Sequence, residues 1–264
     1  YQKSTSLGNT GNDNRTDLDF NLWLVLNITK DNGVPGVHNV ISSAIYNFSD
    51  GLYDYRAREF RGFNFAEEKI ANKITKHWFH QDVARIGREY KTEILDNQTN
   101  PYQTIDKKFD YAQQSSGYYI VELTQESEAS YDGNSNNPKI KNMTYDYDEF
   151  GNVIYKHSLG DITNSSDDIF EFYKYVNNTN AWIVNKISNY SLFDSDNATM
   201  LRSSLSYYDG AVLGASPTKG DVTKKEELLL GGTNKINLYR YNSFGNLINA
   251  TDSNGKVTNY GYGT

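Results

Sequence analysis

The chain has no cysteine. That excludes disulfide frameworks, thiolate zinc sites and cysteine nucleophiles at once. Proline is scarce, at four residues, and the longest apolar patch is LWLVL at 22–26. That run is strand-sized, far short of the roughly 18 apolar residues a membrane helix needs. Basic residues are outnumbered, 26 Lys and Arg against 33 Asp and Glu for a net charge of -7, so the basic footprint of a nucleic-acid binder is missing. There are only four histidines, at 38, 77, 80 and 157, which leaves few candidates for a catalytic triad. The chain opens on Tyr1 without a basic or apolar leader and reads as a piece of something longer.

Aromatic and turn-forming residues are plentiful instead. Twenty-two Tyr and 12 Phe alternate with stretches of Asn, Ser, Thr, Asp and Gly. Aromatic runs punctuated by turn formers predict an all-β protein of successive antiparallel hairpins. Candidate strands are LWLVLNIT (22–29), HNVISSAIYNF (38–48), GYYIVELT (117–124), FEFYKYV (170–176) and AWIVNKISNYSLF (181–193). Turns are expected at Asp31-Asn32-Gly33, Asp50-Gly51, Asp132-Gly133, Asp209-Gly210 and Asn254-Gly255. Only FAEEKIANK (65–73) has helical propensity, and it lacks caps and is flanked by strand patterns. LGASPTKG (213–220) and YDGNSNNPK (131–139) read as long hairpin loops, so residues 1–264 are expected to form one continuous β-rich segment.

One unit is spelled twice. YDYDEFGNVI (145–154) returns as YRYNSFGNLI (239–248), matching Tyr145 with Tyr239, Tyr147 with Tyr241, Phe150 with Phe244, Gly151 with Gly245, Asn152 with Asn246 and Ile154 with Ile248. Y-x-Y places its aromatics on one face of a strand, and Gly and Asn tolerate the positive φ of a reversal, so each copy predicts a hairpin. TDSNGKVTNYGY (251–262) repeats the idea, and the two clear copies are too far apart for a propeller period.

The motif resembles the tyrosine-aspartate repeat of Rhs-type proteins. DGLYDYRAREFRGF (50–63) and HWFHQD (77–82) resemble a segment of the same family, whose β-rich portion is shared with insecticidal Tc toxin B subunits. STSLGNTGND with LDFNLWLV, and SYYDGAVLGASPTKGDVTKKEELLLGG (206–232), fit the run around it. The resemblance implies a strip of hairpins spiralling into part of a hollow shell or barrel. In toxin members the shell encloses an effector, and teneurins carry a comparable barrel on the cell surface. It marks Arg58, Glu59, Phe60, Arg61, Gly62, Phe63, His80, Gln81 and Asp82 as structural positions beside the repeat residues. The chain departs from the full pattern in having few clear repeats, no effector domain and no self-cleaving aspartate region.

Chemistry finds little purchase in the sequence. His77 and His80 form H-x-x-H, which on a helix could face one metal but on a strand points to opposite faces. Asp146-x-Asp148-x-Phe150-Gly151 starts like a calcium loop, but His157 stands where the bidentate Glu belongs. Arg56, Arg58, Glu59 and Arg61 could clamp an anion; cross-strand ion pairs among tyrosines are the plainer explanation. No glycine loop, G-x-S-x-G or paired carboxylate stands out, so neither an enzyme nor a cofactor is expected. Sequons at Asn14, Asn27, Asn47, Asn97, Asn142, Asn164, Asn177, Asn189, Asn197 and Asn249 would carry glycans if the protein enters a glycosylating compartment. The expected role is a shell segment of a secreted or surface toxin-like protein, partnered by the rest of the shell and by an enclosed effector. The alternative is a cell-surface adhesin binding glycans or proteins, and a polysaccharide hydrolase would need two converging carboxylates.

Overall fold

A computed structural model describes residues 1–10, 17–34, 36, 40–131, 135–229 and 232–263. His38, the Asn14 sequon and the Asp132-Gly133 turn lie outside the described residues. The chain divides into two compact units, Tyr1–Asn142 and Met143–Thr264.

The first unit holds β1 (Gln2–Lys3) paired with β2 (Trp23–Leu24), then β3 (Asn27–Asp31), β4 (Ile41–Asp54), β5 (Glu59–Ile70), β6 (Lys73–Phe79), β7 (Glu89–Asp96), β8 (Pro101–Gln113) and β9 (Tyr119–Ser130). β10 (Lys139–Tyr147) contains the division between the units. The second unit continues with β11 (Val153–Leu159), β12 (Ile169–Asn178), β13 (Ile183–Phe193), β14 (Met200–Tyr208), β15 (Val222–Leu228), β16 (Lys235–Tyr241), β17 (Leu247–Thr251) and β18 (Val257–Asn259). From β3 to β9, and again from β11 to β18, each strand pairs antiparallel with the next in sequence. Helix among the described residues is limited to short 3₁₀ turns such as Ser4–Ser6 and Ser165–Asp167.

The expected all-β hairpin fold is therefore present, and FAEEKIANK completes β5, turns at Ala71 and enters β6. The ladder is open rather than a closed barrel: β3 leaves one edge of the first unit unpaired and β18 one edge of the second. Two local expectations need correction. LWLVLNIT is not one strand, because Trp23–Leu24 pairs with β1 while Asn27 onward pairs with β4. Asp50-Gly51 is not a hairpin turn but lies inside β4, with Asp50 at φ 55, beside a bulge of β5 in which Arg61 and Gly62 stand opposite Leu52.

Each strand makes its substantial contacts only with its sequence neighbours. The chain exposes 16692 Å² of surface. A compact globule of 30.1 kDa would expose about 11,700 Å², and two separate compact halves about 14,000 Å². Among the described residues the buried apolar side chains are Leu18, Ile74, Leu95, Phe109, Val176 and Tyr208. Stability must come largely from ladder hydrogen bonds and same-face cross-strand pairs.

The nearest thing to a core lies where the N-terminal segment meets β4 at Asp50–Tyr53. The Asp50 and Tyr53 amides donate to the Gly8 and Asp17 carbonyls at 2.7 and 2.8 Å, and Leu18 is fully buried there. Phe20 meets Tyr53 and Phe60 edge-on, and Phe63 meets Phe48 and Phe60. Gly51 has no room for a side chain: a Cβ would stand 2.7 Å from Leu18 Cδ2 and 2.8 Å from Phe63 Cε1. Gly51→Ala should cost about 1–3 kcal/mol by overpacking, read as a lower denaturation midpoint; an unchanged midpoint would refute this packing.

Candidate functional site

The segment singled out by sequence, 50–82, is a tightly bonded node. β4 and β5 are joined by a turn in which Arg58 takes φ 54. Asp54 Oδ1 accepts from the Arg56 and Ala57 amides at 2.9 and 3.0 Å, and Oδ2 accepts from Arg61 Nη2 at 2.9 Å. The Ala57 amide is the strongest of the influences that hold the Asp54 carboxyl below its ordinary range, ahead of the Arg56 amide and Arg61. Arg61 is 4% exposed and also approaches Glu59 at 3.5 Å. Gln81 Nε2 donates to the Asp50 and Gly62 carbonyls at 2.7 and 2.8 Å, lacing β4 to the bulge of β5.

Arg56 and Arg58 sit in the exposed turn, and only Arg61 turns inward. The ion pairing foreseen for the cluster is real, but it closes a hairpin.

His77 and His80 serve separate surroundings. His77 Nδ1 bonds Glu89, whose other oxygen lies 3.7 Å from Lys107 Nζ. His80, just beyond β6, packs against Tyr90 with ring centroids 4.7 Å apart, and burial lowers its pKa. Asp82 Oδ1 accepts from the Ala84 and Arg85 amides and caps the following turn. No group of three or more His, Asp or Glu suited to a metal occurs among the described residues.

Both repeat copies form the same turn. In the first, the Asp148 amide donates to the Asn152 carbonyl at 2.9 Å, the Gly151 amide donates to the Asp148 carbonyl at 3.1 Å, and Gly151 has φ 79. In the second, Asn242, Asn246 and Gly245 repeat this at 2.9 and 3.1 Å, with φ 80 at Gly245. The residue opening each turn closes it with its side chain: Asp148 Oδ1 accepts from the Phe150 and Asn152 amides, and Asn242 Oδ1 from the Phe244 and Asn246 amides. Asp252 does the same for Asn254 and Lys256, and Asp96 for Gln98 and Asn100 with Thr99 at φ 68. The repeated spelling is therefore [Asp/Asn]-x-x-Gly-x, with the opening side chain as much a part of the reversal as the glycine. The paired tyrosines of each Y-x-Y are half-buried, with exposed Asp146 or Arg240 between them.

Two further nodes were not foreseen as such. Glu171 Oε1 takes Lys156 Nζ at 2.9 Å, and Oε2 takes the hydroxyls of Tyr173 and Tyr190 at 2.8 and 3.0 Å. Burial, then the bond to Glu171, pushes Tyr190 up to about 12. Asp209, at φ 56, receives the amides of Thr218, Lys219 and Gly220 on Oδ2 at 2.6–3.1 Å and that of Asp221 on Oδ1 at 2.9 Å. Burial alone would raise its pKa; these donors win and hold it at about 2. The loop 209–221 is folded back on the sheet, with Pro217 buried and its carbonyl accepting from Asn178 at 2.8 Å.

Of the sequons, Asn27, Asn47, Asn97, Asn164, Asn177 and Asn197 are exposed, whereas Asn142, Asn189 and Asn249 are half-buried. The Asn142 Oδ1 is buried without a hydrogen bond.

These features define a class: a single-layer strip of antiparallel hairpins whose polar groups are spent on closing turns and lacing neighbouring strands. Residues 1–93 match the family described as the insecticide toxin TcdB middle/N-terminal region. The fold is shared with TcdB2-TccC3 solved without its hypervariable C-terminal region, at a TM-score of 0.61 and 11% identity over 80% of this chain and 18% of that one. A second TcdB2-TccC3 structure gives 0.60 and 12% over 80% and 19%. A Photorhabdus luminescens Tc holotoxin pore gives 0.58 and 10% over 84% and 19%. No curated protein sequence matches. The family match is carried by residues 1–93, and the solved structures share the fold. The chain spans about a fifth of the length of the solved chains it matches.

Proposed function

We propose that the chain is a structural segment of the shell of a secreted toxin complex and works by enclosure rather than by chemistry. The observation that carries this reading is the single-layer sheet. Its strands pair with their sequence neighbours within each unit, and its buried apolar side chains among the described residues are few. A wall is the element that has this form, since it needs two faces and continuity more than a core. The match of residues 1–93 to the TcdB middle/N-terminal region supports it. The same reading makes the remaining shell the chain's partner, including a TccC3-like subunit of the kind present in the similar structures. An enclosed effector polypeptide would be its contents. No helix of the described residues is long and apolar enough to cross a membrane.

Electron cryo-microscopy of the native particle tests this. The expected result is a closed hollow body with these strands in its wall and density inside. A solid domain with a ligand groove would overturn the proposal and favour an adhesin. Glycans at the exposed sequons would accompany passage through a glycosylating compartment, and an intact mass equal to the bare polypeptide would eliminate them.

A further inference from the structure

One face of the second unit carries a cavity of about 480 Å³ over β12–β15. Antiparallel register builds it: Tyr173 stands opposite Tyr190, Tyr190 opposite Ser204, and Ser206 opposite Lys225. The small side chains of Ser204 and Ser206 leave a hollow between larger neighbours on the same face. Its aromatic walls are fixed. Tyr173 and Tyr190 both donate their hydroxyls to Glu171, and the Tyr208 hydroxyl donates to the Ile187 carbonyl at 2.7 Å. With those hydroxyls engaged, the rings offer the cavity apolar carbon.

Other polar groups of the cavity are unspent. Ser204 is 9% exposed, and its hydroxyl reaches no hydrogen-bond partner among the described residues. A buried hydroxyl is ordinarily bonded, so this one stands as a free donor and acceptor facing the hollow. Glu171 is taken by Lys156 and the two tyrosines, and Glu227 meets Arg202 at 3.5 Å. Lys225 has no acidic partner among the described residues, so a positive charge is left over at the cavity.

We propose that this cavity binds an acidic sugar. The carboxylate pairs with Lys225, ring hydroxyls bond Ser204 and Arg202, and the C–H face of the ring lies against the tyrosine walls. A peptide fits less well, because β13 and β14 are paired on both sides and offer an extended chain no backbone groups to bond. The proposal goes beyond enclosure and holds whether or not the shell is hollow.

The test is acetylation of Lys225 by acetic anhydride in the intact native protein, read by peptide mass spectrometry. D-Glucuronate at about ten times its half-protecting concentration should slow this labelling about tenfold by mass action. Labelling of the exposed Lys108, in the other unit, should not change. Glucose, a pyranose without the carboxylate, should not protect Lys225. Arg202→Gln and Ser204→Ala should each raise the half-protecting concentration about three- to tenfold. Since the Ser204 hydroxyl bonds nothing within the fold, Ser204→Ala should leave the melting temperature unchanged; a lowered one would make the hydroxyl structural and count against the proposal. No protection, equal protection by glucose or by inorganic phosphate, protection unaltered in both variants, or a Lys225 beyond the reagent's reach would each overturn it.

Discussion

Asp209→Ala is expected to release the 209–221 loop and destabilise the second unit by about 3 kcal/mol. The carboxylate accepts four backbone amides and the Thr218 hydroxyl, and no neighbouring group can take them over at once. Removing it strands donors around buried Pro217 and weakens the Asn178 contact. Urea denaturation and hydrogen exchange at Thr218–Asp221 would measure the effect. Retained protection of those amides would show that the loop is held by other means. The same group predicts acid sensitivity. Its folded pKa of about 2 lies below the ordinary 3.8, so its stabilisation is fully present above roughly pH 4 and fades as the pH falls toward 2. The difference corresponds to about 1–2 kcal/mol after allowance for partial exposure. In Asp209→Ala this part of the acid transition should vanish.

Arg61→Ala carries the second large effect, a loss of about 2–3 kcal/mol in the first unit. The guanidinium side chain is 3% exposed, whereas that of Asp54, its partner, is 31% exposed, so the pair sits at a rim. Asp54 keeps two backbone donors when Arg61 is removed, which holds the cost below that of stripping one member from a fully buried pair. Arg61→Met, which preserves much of the packed stem, should recover about half of the loss. Comparing the two variants by thermal unfolding separates charge from packing. Equal losses would mean that the ion pair is what matters, and no loss in either would remove Arg61 from the node.

Neither residue stood out to the same degree in the sequence. Arg61 lies in a segment already singled out by resemblance, but its burial follows from the tight turn, with Arg58 at φ 54, that brings β5 back against Asp54 of β4. Asp209 was legible only as half of an Asp-Gly turn. Its catch of four amides depends on a loop that returns about ten residues later, beyond the reach of turn rules.

The β class, the hairpin order and the repeated turns were determined by sequence alone, because each rests on contacts within a few residues. Alternating aromatics set a face, and Asp or Asn three positions before Gly closes a reversal wherever it occurs. Tertiary structure decided what those strands meet. Register across the sheet depends on bulges such as those at Arg61–Gly62 of β5 and at Ser188 of β13, and each shifts which side chains share a face. Cross-strand pairing likewise brings Lys156, Glu171 and Tyr190, on three different strands, together without any local signal. Gly51, read as a turn, proved to be the point where a distant N-terminal segment crosses the sheet: the Asn9–Gly51 bond spans 42 residues of sequence. Local chemistry can write a hairpin, but only the folded chain determines what its tip meets, as Phe150 meets Trp182.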